Sequence, residues 1–155
     1  KYILEVGTYT GYSAICLADG LKKNGELHTI EINQELETFC KTYFQKAGLE
    51  DKIKLYIGNA LELIPTLNYK YDIIFIDADK KNYCKYYELA INKLKKGGCI
   101  IIDNVLWSGK VTKVTKKNDL ETSEIKKLNL LIKNDSRVRN TLLPIRDGIM
   151  ICELL

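Results

Sequence analysis

The sequence predicts an α/β fold with a mostly parallel sheet, and three observations lead to this prediction. Apolar strand-like runs alternate with helical stretches through most of the chain, which is typical of parallel strands joined by right-handed crossovers. The run Tyr71–Asp77 contains an uninterrupted apolar stretch, as expected of a strand that helices cover on both faces. The last two apolar runs are joined by the turn-forming segment 144–148, so we predict an antiparallel hairpin at the C-terminal end.

Seven short runs are predicted to form the strands of this sheet. They are rich in β-branched or aromatic residues and are bounded by glycine or polar residues. In chain order they are Tyr2–Val6, Glu26–Ile32, Ile53–Ile57, Tyr71–Asp77, Cys99–Asp103, Val138–Leu143 and Ile149–Leu154. The segment Val105–Asn118 lacks such a pattern and is predicted to be a polar loop. The turn of the final hairpin is predicted to centre on Asp147 and Gly148.

Five stretches with apolar residues at helical spacing are predicted to form helices between the strands. Asn24 and Gly25 end the first helix, whereas Asn33 caps the start of the second and Gly48 ends it. The fourth helix is followed by two lysines and two glycines, which suit a helix C-terminus. The predicted helices are Tyr12–Lys23, 33–48, Ala60–Leu67, Asn82–Leu94 and Asp119–Lys133.

Length and composition indicate a single domain spanning residues 1–155, since 46% of the residues are hydrophobic and 28% are charged. The net charge is only +4 and the lysines are scattered, so we expect no nucleic-acid partner. No apolar stretch is long enough to span a membrane, and we expect no membrane partner. The five cysteines show no CxxC or Cys/His metal spacing, so they are predicted to be buried thiols of a reducing, cytoplasmic compartment.

The turn after the first strand is predicted to bind a cofactor. Gly7 and Gly11 form a GxxxG pattern in a turn where glycine permits close approach of the backbone to a ligand. This pattern alone is weak evidence for a cofactor site. Glu31 ends the next strand, where an acid can accept hydrogen bonds from ribose hydroxyls; a surface glutamate is the alternative. Glu5 lies in the apolar first strand, so its carboxylate needs a donor, either the amino group of a cofactor or a structural partner.

Oxygen-bearing side chains follow two strands that we expect to be neighbours. Asp77 ends one strand, and Asp103 and Asn104 end the next, which together form a ligand set suited to a hard divalent cation. Asp and Asn are also common turn formers at strand ends, but their recurrence beside a cofactor turn favours a function. Lys80 follows Asp77, and a nearby cation would favour its neutral form and so suit it to proton abstraction. A solvated loop lysine is the alternative.

Taken together, the motifs resemble those of the class I, S-adenosylmethionine-dependent and cation-dependent O-methyltransferases, the family of the caffeoyl-CoA and catechol O-methyltransferases. The matching segments, in family order over essentially the whole chain, are EVGTYTGYS, HTIEIN, GNALE, YDIIFIDADKKNY, GGCIIIDNVLWSG and LLPIRDGIMI. The resemblance implies a Rossmann-like class I methyltransferase fold. It also implies methyl transfer from S-adenosyl-L-methionine to a hydroxyl of a small aromatic diol, such as a catechol or caffeoyl group.

The resemblance also implies a cofactor site. Its residues are Glu5, Gly7, Ser13, Glu31, Ala60, Asp77 and Tyr86. The first three would line the methionine end of S-adenosylmethionine. Glu31 would bind the ribose, Ala60 would lie beside the adenine, and Tyr86 would lie near the cofactor carboxylate.

For the reaction itself, the resemblance implies that Asp77, Asp103 and Asn104 hold a divalent cation. We expect Mg²⁺ first, with Ca²⁺ or Mn²⁺ as alternatives. Lys80 matches the catalytic base and acts beside Asp77, which we also assign to the catalytic pair. Trp107 would stack on the aromatic substrate, unless it only fills an edge of the core.

Some features depart from the family pattern. Asn59 stands where relatives often carry Asp or Pro, and Arg146 replaces a frequent glycine. The family's helices before the first strand have no counterpart in this sequence, so we expect a longer protein that is a homodimer at full length.

Two other functions stay open. A nicotinamide-dependent Rossmann oxidoreductase shares the layout without its GxGxxG motif, and a non-catalytic S-adenosylmethionine-binding module shares the cofactor site.

Overall fold

The strand-forming runs assemble into one sheet in the computed structural model, which describes residues 1–155. The strands are β1 (Tyr2–Val6), β2 (Glu26–Glu31), β3 (Ile53–Ile57), β4 (Tyr71–Ile76), β5 (Leu94–Asp103), β6 (Val138–Leu143) and β7 (Ile149–Leu154). Their order is β3-β2-β1-β4-β5-β7-β6. The pairs from β3 to β5 are parallel, and β7 runs antiparallel to both β5 and β6. The mostly parallel seven-stranded sheet with a terminal antiparallel hairpin is therefore confirmed.

Helices cover both faces of this sheet. They are α1 (Tyr12–Asp19), α2 (Glu37–Lys46), α3 (Ala60–Thr66), α4 (Tyr83–Lys93) and α5 (Leu120–Lys133). Successive residues of β1 show how the faces divide: Ile3 packs with α1 and α2 in a smaller core, whereas Leu4 packs with α3, α4 and α5 in a larger one. Since neighbouring side chains of a strand point to opposite faces, the two cores lie on opposite sides of the sheet.

Two element boundaries differ from the prediction by several residues. Helix α1 ends at Asp19 rather than Lys23, because Gly20 follows and its N–H bonds to the Ala18 carbonyl. Strand β5 begins at Leu94 rather than Cys99, because Leu94 already pairs with the start of β4 before a register shift. The lysine–glycine segment therefore belongs to a strand and does not end a helix.

The hairpin turn also differs from the prediction. The Gly148 N–H donates to the Ile145 carbonyl at 2.9 Å, and Arg146 has a φ of 55°. The turn therefore centres on Arg146 and Asp147, one residue earlier than predicted. This shift leaves the Asp147 side chain and carbonyl available to the loop after β5.

The cysteines are all unpaired, but they are not all buried. Cys40 and Cys152 are buried, Cys84 and Cys99 are partly buried, and Cys16 is exposed. The prediction that all five are buried is wrong for Cys16, which lies on the outer face of α1. No helix combines the length and apolar character needed to cross a membrane.

The strand order places the predicted site at the middle of the sheet. From β1 the chain proceeds to β2 and β3 on one side, and then crosses to β4 and β5 on the other. Ligands of open α/β sheets bind outside the carboxyl ends of the strands at such a reversal. The ends of β1, β4 and β5 carry Glu5, Asp77 and Asp103, so the fold brings these acids to one edge.

Candidate active site

A cavity of about 260 Å³ lies at the carboxyl ends of β1, β2 and β4. The predicted cofactor residues that line it are Gly7, Glu31, Ala60, Asp77 and Tyr86. Its other lining residues are Val6, Tyr9, Ile30, Ile32, Gly58, Ala78 and Asp79. Glu5 and Ser13, also predicted to contact the cofactor, are not part of this lining.

Gly7 allows the first turn to pass directly over the end of β4. Its φ is +101°, and a Cβ atom at this position would lie 2.0 Å from the Asp77 carbonyl oxygen. Hydrogen bonds fix the approach: the Gly7 N–H donates to Ile30 O at 3.0 Å, and the Asp77 N–H donates to Val6 O at 3.0 Å. Only glycine fits this close crossing, which forms one wall of the cavity.

Glu5 is fully buried close to this crossing. Its Oε2 accepts a hydrogen bond from the Thr29 hydroxyl at 2.5 Å, but its Oε1 is buried without a partner. Burial is the main cause that raises the pKa of the Glu5 carboxyl to about 7. The Ser13 and Thr29 hydroxyls oppose this rise, and the charges of Asp77 and Glu31 add to it. A buried oxygen without a partner is costly, and a cationic ligand would offset that cost.

Glu31 is held in one orientation by the backbone on either side of it. The Tyr9 N–H donates to its Oε2 at 2.7 Å, and the Asn33 N–H donates to its Oε1 at 2.8 Å. Because each carboxylate oxygen can accept more than one hydrogen bond, both oxygens can still accept from ligand hydroxyls. With only 8% of its surface exposed, Glu31 is a cavity residue and not a surface glutamate.

Asp79 is a cavity residue that the sequence did not assign to the cofactor. The Tyr86 hydroxyl donates to its Oδ1 at 2.5 Å, and the Asn82 amide donates to its Oδ2 at 2.7 Å. Burial, and then the bond to Asp79, raise the pKa of Tyr86. Tyr86 therefore lines the cavity, and its hydroxyl binds a carboxylate of the protein. The second acid of the Asp-Ala-Asp motif was the available signal.

Lys80 is buried beside Asp77, which removes the solvated-loop alternative. Its Nζ donates to Asp77 Oδ1 at 2.8 Å, to the Ala78 carbonyl at 3.1 Å and to the Tyr83 hydroxyl at 2.6 Å. Tyr83 is fully buried, and burial is the main cause that raises its pKa. All three donors of the Lys80 ammonium therefore have acceptors. Sequence reasoning missed Tyr83, although its place three residues after Lys80 was an available signal, because residues three apart in a helical turn are neighbours.

Asp103 and Asn104, two of the predicted cation ligands, lie at the end of β5, which pairs with β4. Asp103 Oδ1 accepts the Asn104 N–H at 2.6 Å, and Asn104 has a φ of 62°. Burial is the main cause that raises the pKa of Asp103; the charges of Asp77 and Asp147 add to the rise, and Lys80 opposes it. A cation would relieve this accumulation of negative charge, and these oxygen ligands fit a hard cation. No three His, Cys, Asp or Glu side chains form a metal-binding group in the structure. The predicted set consists of two carboxylates and one amide.

Asp147 fixes the loop that follows these ligands, and sequence reasoning assigned it only to a turn. Its Oδ2 accepts from Asn104 Nδ2 at 3.3 Å, its carbonyl accepts from the Leu106 N–H at 2.8 Å, and its Oδ1 accepts from the Ser108 N–H. Trp107, in the same loop, packs against the larger core with its Nε1 buried and unpaired. Its ring also lies 5.7 Å from Lys80 Nζ, so Trp107 both fills the core edge and adjoins the site.

Comparison with known protein families identifies the family of this chain. A model of the O-methyltransferase family matches residues 1–155. The chain belongs to this family. A caffeoyl-CoA O-methyltransferase of Stellaria longipes is 35% identical, over 98% of this chain and 67% of its own length. The chain spans about two thirds of the length of the curated relatives it matches. The family resemblance and the enzyme class predicted from the sequence are thus confirmed.

Solved structures of O-methyltransferases share the fold. An O-methyltransferase from Bacillus cereus, in complex with S-adenosylhomocysteine, has a TM-score of 0.93 and 32% identity, and the match covers 99% of this chain and 74% of that one. TomG from Streptomyces achromogenes, involved in tomaymycin synthesis and in complex with S-adenosylmethionine, has a TM-score of 0.92 and 27% identity, covering 99% and 72%. The Rossmann-like class I methyltransferase fold is thereby confirmed, and the nicotinamide oxidoreductase loses its support.

Proposed function

We propose that this O-methyltransferase binds S-adenosylmethionine in the cavity at the carboxyl ends of β1, β2 and β4. It then transfers the methyl group to one hydroxyl of a catechol- or caffeoyl-type small molecule, with a divalent cation. The observation that carries this proposal is the double position of Asp77. Asp77 lines the cavity and accepts a hydrogen bond from Lys80 Nζ at 2.8 Å. The cofactor cavity and the candidate base therefore meet at one residue.

The charge of the cavity favours this cofactor over a dinucleotide. Glu31, Asp77 and Asp79 line the cavity, and its lining contains no lysine or arginine. S-adenosylmethionine carries a sulfonium and an ammonium group, which these carboxylates would stabilise. A nicotinamide dinucleotide carries two phosphates, which the same carboxylates would repel. Glu31 is oriented to accept from ribose hydroxyls, and the unpaired Glu5 Oε1 suits a cationic group.

Proton removal falls to Lys80 in this proposal. Asp77, Asp103 and Asn104 would hold the cation, whose chemistry is to stabilise the deprotonated form of the substrate hydroxyl. Lys80 would act in its neutral form, which a bound cation would favour by repelling the ammonium charge. Its Nζ lone pair would then receive the hydroxyl proton, because it is the basic group held between the cavity and Asp103. Transfer of a methyl group from a sulfonium to an oxygen anion neutralises charge, so the protein contributes mainly by positioning. Trp107 would stack on the aromatic ring of the substrate.

The experiment is titration of S-adenosylhomocysteine into the protein by calorimetry, followed by a methyl-transfer assay with catechol and caffeoyl-CoA. We expect binding, and methyl transfer that Mg²⁺ stimulates. Asp103→Ala and Asn104→Ala should each lose the Mg²⁺ stimulation and keep S-adenosylhomocysteine affinity within about twofold, because neither residue lines the cavity. Asp51→Ala, an exposed aspartate in the turn before β3, is the control.

The outcomes separate the parts of the proposal. Full turnover with a chelator present would rule out a role of the cation. Absence of S-adenosylhomocysteine binding would rule out the proposed methyl transfer. Binding without transfer to either acceptor would favour the non-catalytic module. A cytoplasmic location and a homodimer at full length stay predictions.

A further inference from the structure

Among the side chains outside the predicted site, Tyr83 makes the closest contact with Lys80. It is the first residue of α4, and its ring is fully buried in the larger core. Its hydroxyl oxygen lies 2.6 Å from Lys80 Nζ, and Lys80 Nζ lies 4.8 Å from the centre of its ring. One aromatic side chain therefore contacts Lys80 through both its hydroxyl and its ring.

The Lys80 side chain needs such a support because it is long and flexible. A lysine carries its charge at the end of four rotatable bonds, and fixing it costs conformational entropy. Asp77, another of its acceptors, has a side chain that is 41% exposed. The bond between Lys80 and Tyr83 is the buried one, and the tyrosine ring is locked by core packing.

Tyr83 also connects Lys80 to the neighbouring strand. While its hydroxyl oxygen accepts from Lys80, its hydroxyl hydrogen donates to the backbone carbonyl of Asp103 at 3.3 Å. Lys80 follows the end of β4 and Asp103 ends β5, so the phenol spans the two strand ends. The Tyr83 hydroxyl therefore accepts one hydrogen bond and donates one, which uses its hydrogen once.

We propose that Tyr83 is a positioning residue that holds Lys80 Nζ at a fixed place between the cofactor cavity and the Asp103 strand end. The inference rests on the proposed methyl transfer for its effect on rate, but the placement of Lys80 can be measured without activity. Tyr83 does not line the cofactor cavity and acts through Lys80.

The test is Tyr83→Phe, which keeps the buried ring and removes only the hydroxyl. Tyr87→Phe is the matched control: Tyr87 is equally buried on the same helix, and its hydroxyl donates to Asp135 Oδ2 at 2.9 Å, away from Lys80. For Tyr83→Phe we expect kcat to fall about 10- to 100-fold, the loss typical of a misplaced catalytic group. KM for S-adenosylmethionine should stay within about twofold, since Tyr83 does not line the cavity. Tyr87→Phe should keep the wild-type kcat.

A second measurement reads the position of Lys80 directly. Reductive methylation of the protein, followed by mass spectrometry, gives the labelling rate of each lysine. Lys80 should be labelled several-fold faster in Tyr83→Phe than in wild type or in Tyr87→Phe, whereas the exposed Lys81 should keep its rate in all three.

These two readouts keep the proposals apart. Unchanged Lys80 labelling in Tyr83→Phe overturns the positioning role, whatever the activity. Faster labelling together with a wild-type kcat overturns the link between that position and the rate. A wild-type protein without methyl transfer overturns the proposed function alone, and the labelling result still decides whether Tyr83 holds Lys80.

Discussion

The Asn104 amide donates a hydrogen bond from Nδ2 to Asp147 Oδ2 at 3.3 Å, across 43 residues of sequence. Asn104 has a left-handed backbone, which is uncommon outside glycine and costs energy unless neighbours hold it. Asp147 provides that hold from the hairpin turn, because it also accepts from the backbone N–H groups of Leu106 and Ser108. The last hairpin therefore shapes the loop that carries the proposed cation ligand and Trp107.

Asp147→Ala should loosen this loop without disturbing the cofactor cavity. The variant loses a partly buried carboxylate that accepts from Asn104 Nδ2 and from the Ser108 N–H, which costs about 1 to 3 kcal/mol of unfolding free energy. We expect weaker Mg²⁺ stimulation of methyl transfer and unchanged S-adenosylhomocysteine affinity, measured by assay and calorimetry. Asp147→Asn keeps one acceptor oxygen, so its Mg²⁺ stimulation should lie between those of Asp147→Ala and wild type. Normal Mg²⁺ stimulation in Asp147→Ala would show that the loop keeps its conformation without the Asp147 side chain.

Gly7→Ala should unfold or severely destabilise the protein. The added Cβ would lie 2.0 Å from the Asp77 carbonyl oxygen, at a backbone φ of +101° that alanine disfavours. We expect a loss of at least about 3 kcal/mol in urea unfolding, together with loss of S-adenosylhomocysteine binding. Gly97→Ala is the control, because Gly97 also has a positive φ but its Cβ would meet no atom within 4 Å. It should lose only about 1 to 2 kcal/mol and bind normally. Equal losses in the two variants would contradict the steric account.

Glu5 should make the stability of the ligand-free protein depend on pH. Burial raises its pKa from the ordinary 4.5 to about 7, so between these values the folded state keeps a proton that the unfolded state releases. Raising the pH therefore favours unfolding, and the cost grows from pH 4.5 and is complete above pH 7, reaching about 3 kcal/mol.

Comparison with Glu5→Gln, which cannot titrate there, isolates this effect. The unfolding free energy of wild type relative to Glu5→Gln should fall by that amount between pH 4.5 and pH 8, as measured by urea denaturation. The exposed Glu50→Gln should show no such trend. A flat difference between wild type and Glu5→Gln would mean that folding does not raise the pKa of Glu5 above its ordinary value.

Some of the site followed from sequence because it depends on strand ends. Asp77 and Asp103 directly follow apolar runs, and parallel neighbouring strands must bring such residues to one edge. Gly7 and Glu31 follow strands in the same way, so their place at the cavity was predictable. The family motifs added Ala60 and Tyr86, which the structure places in the same lining.

Other parts could not be read from the chain. Tyr83 lies three residues after Lys80 in one 3-10 turn, so their contact is local, but the sequence did not show that both side chains are buried. The start of β5 at Leu94 depends on pairing with Tyr71, and local sequence favours a helix end there instead. The prediction that every cysteine is buried failed at Cys16, since helical spacing alone did not show which face of α1 meets the sheet.

The sequence by itself determined the order of strands and helices, the family, and the acids at the strand ends, because these depend on local patterns and motifs. Only the tertiary structure decided that Lys80 is buried with three acceptors, that Asp77 serves both the cavity and Lys80, and that Asp147 supports Asn104. The physical reason is that burial and long-range contacts depend on tertiary packing: the acceptors of Lys80 lie within three residues of it, but its burial does not follow from local sequence, and Asp147 lies 43 residues from Asn104. Such contacts require positions accurate to fractions of an ångström, which only the packing of the closed sheet and its helices supplies.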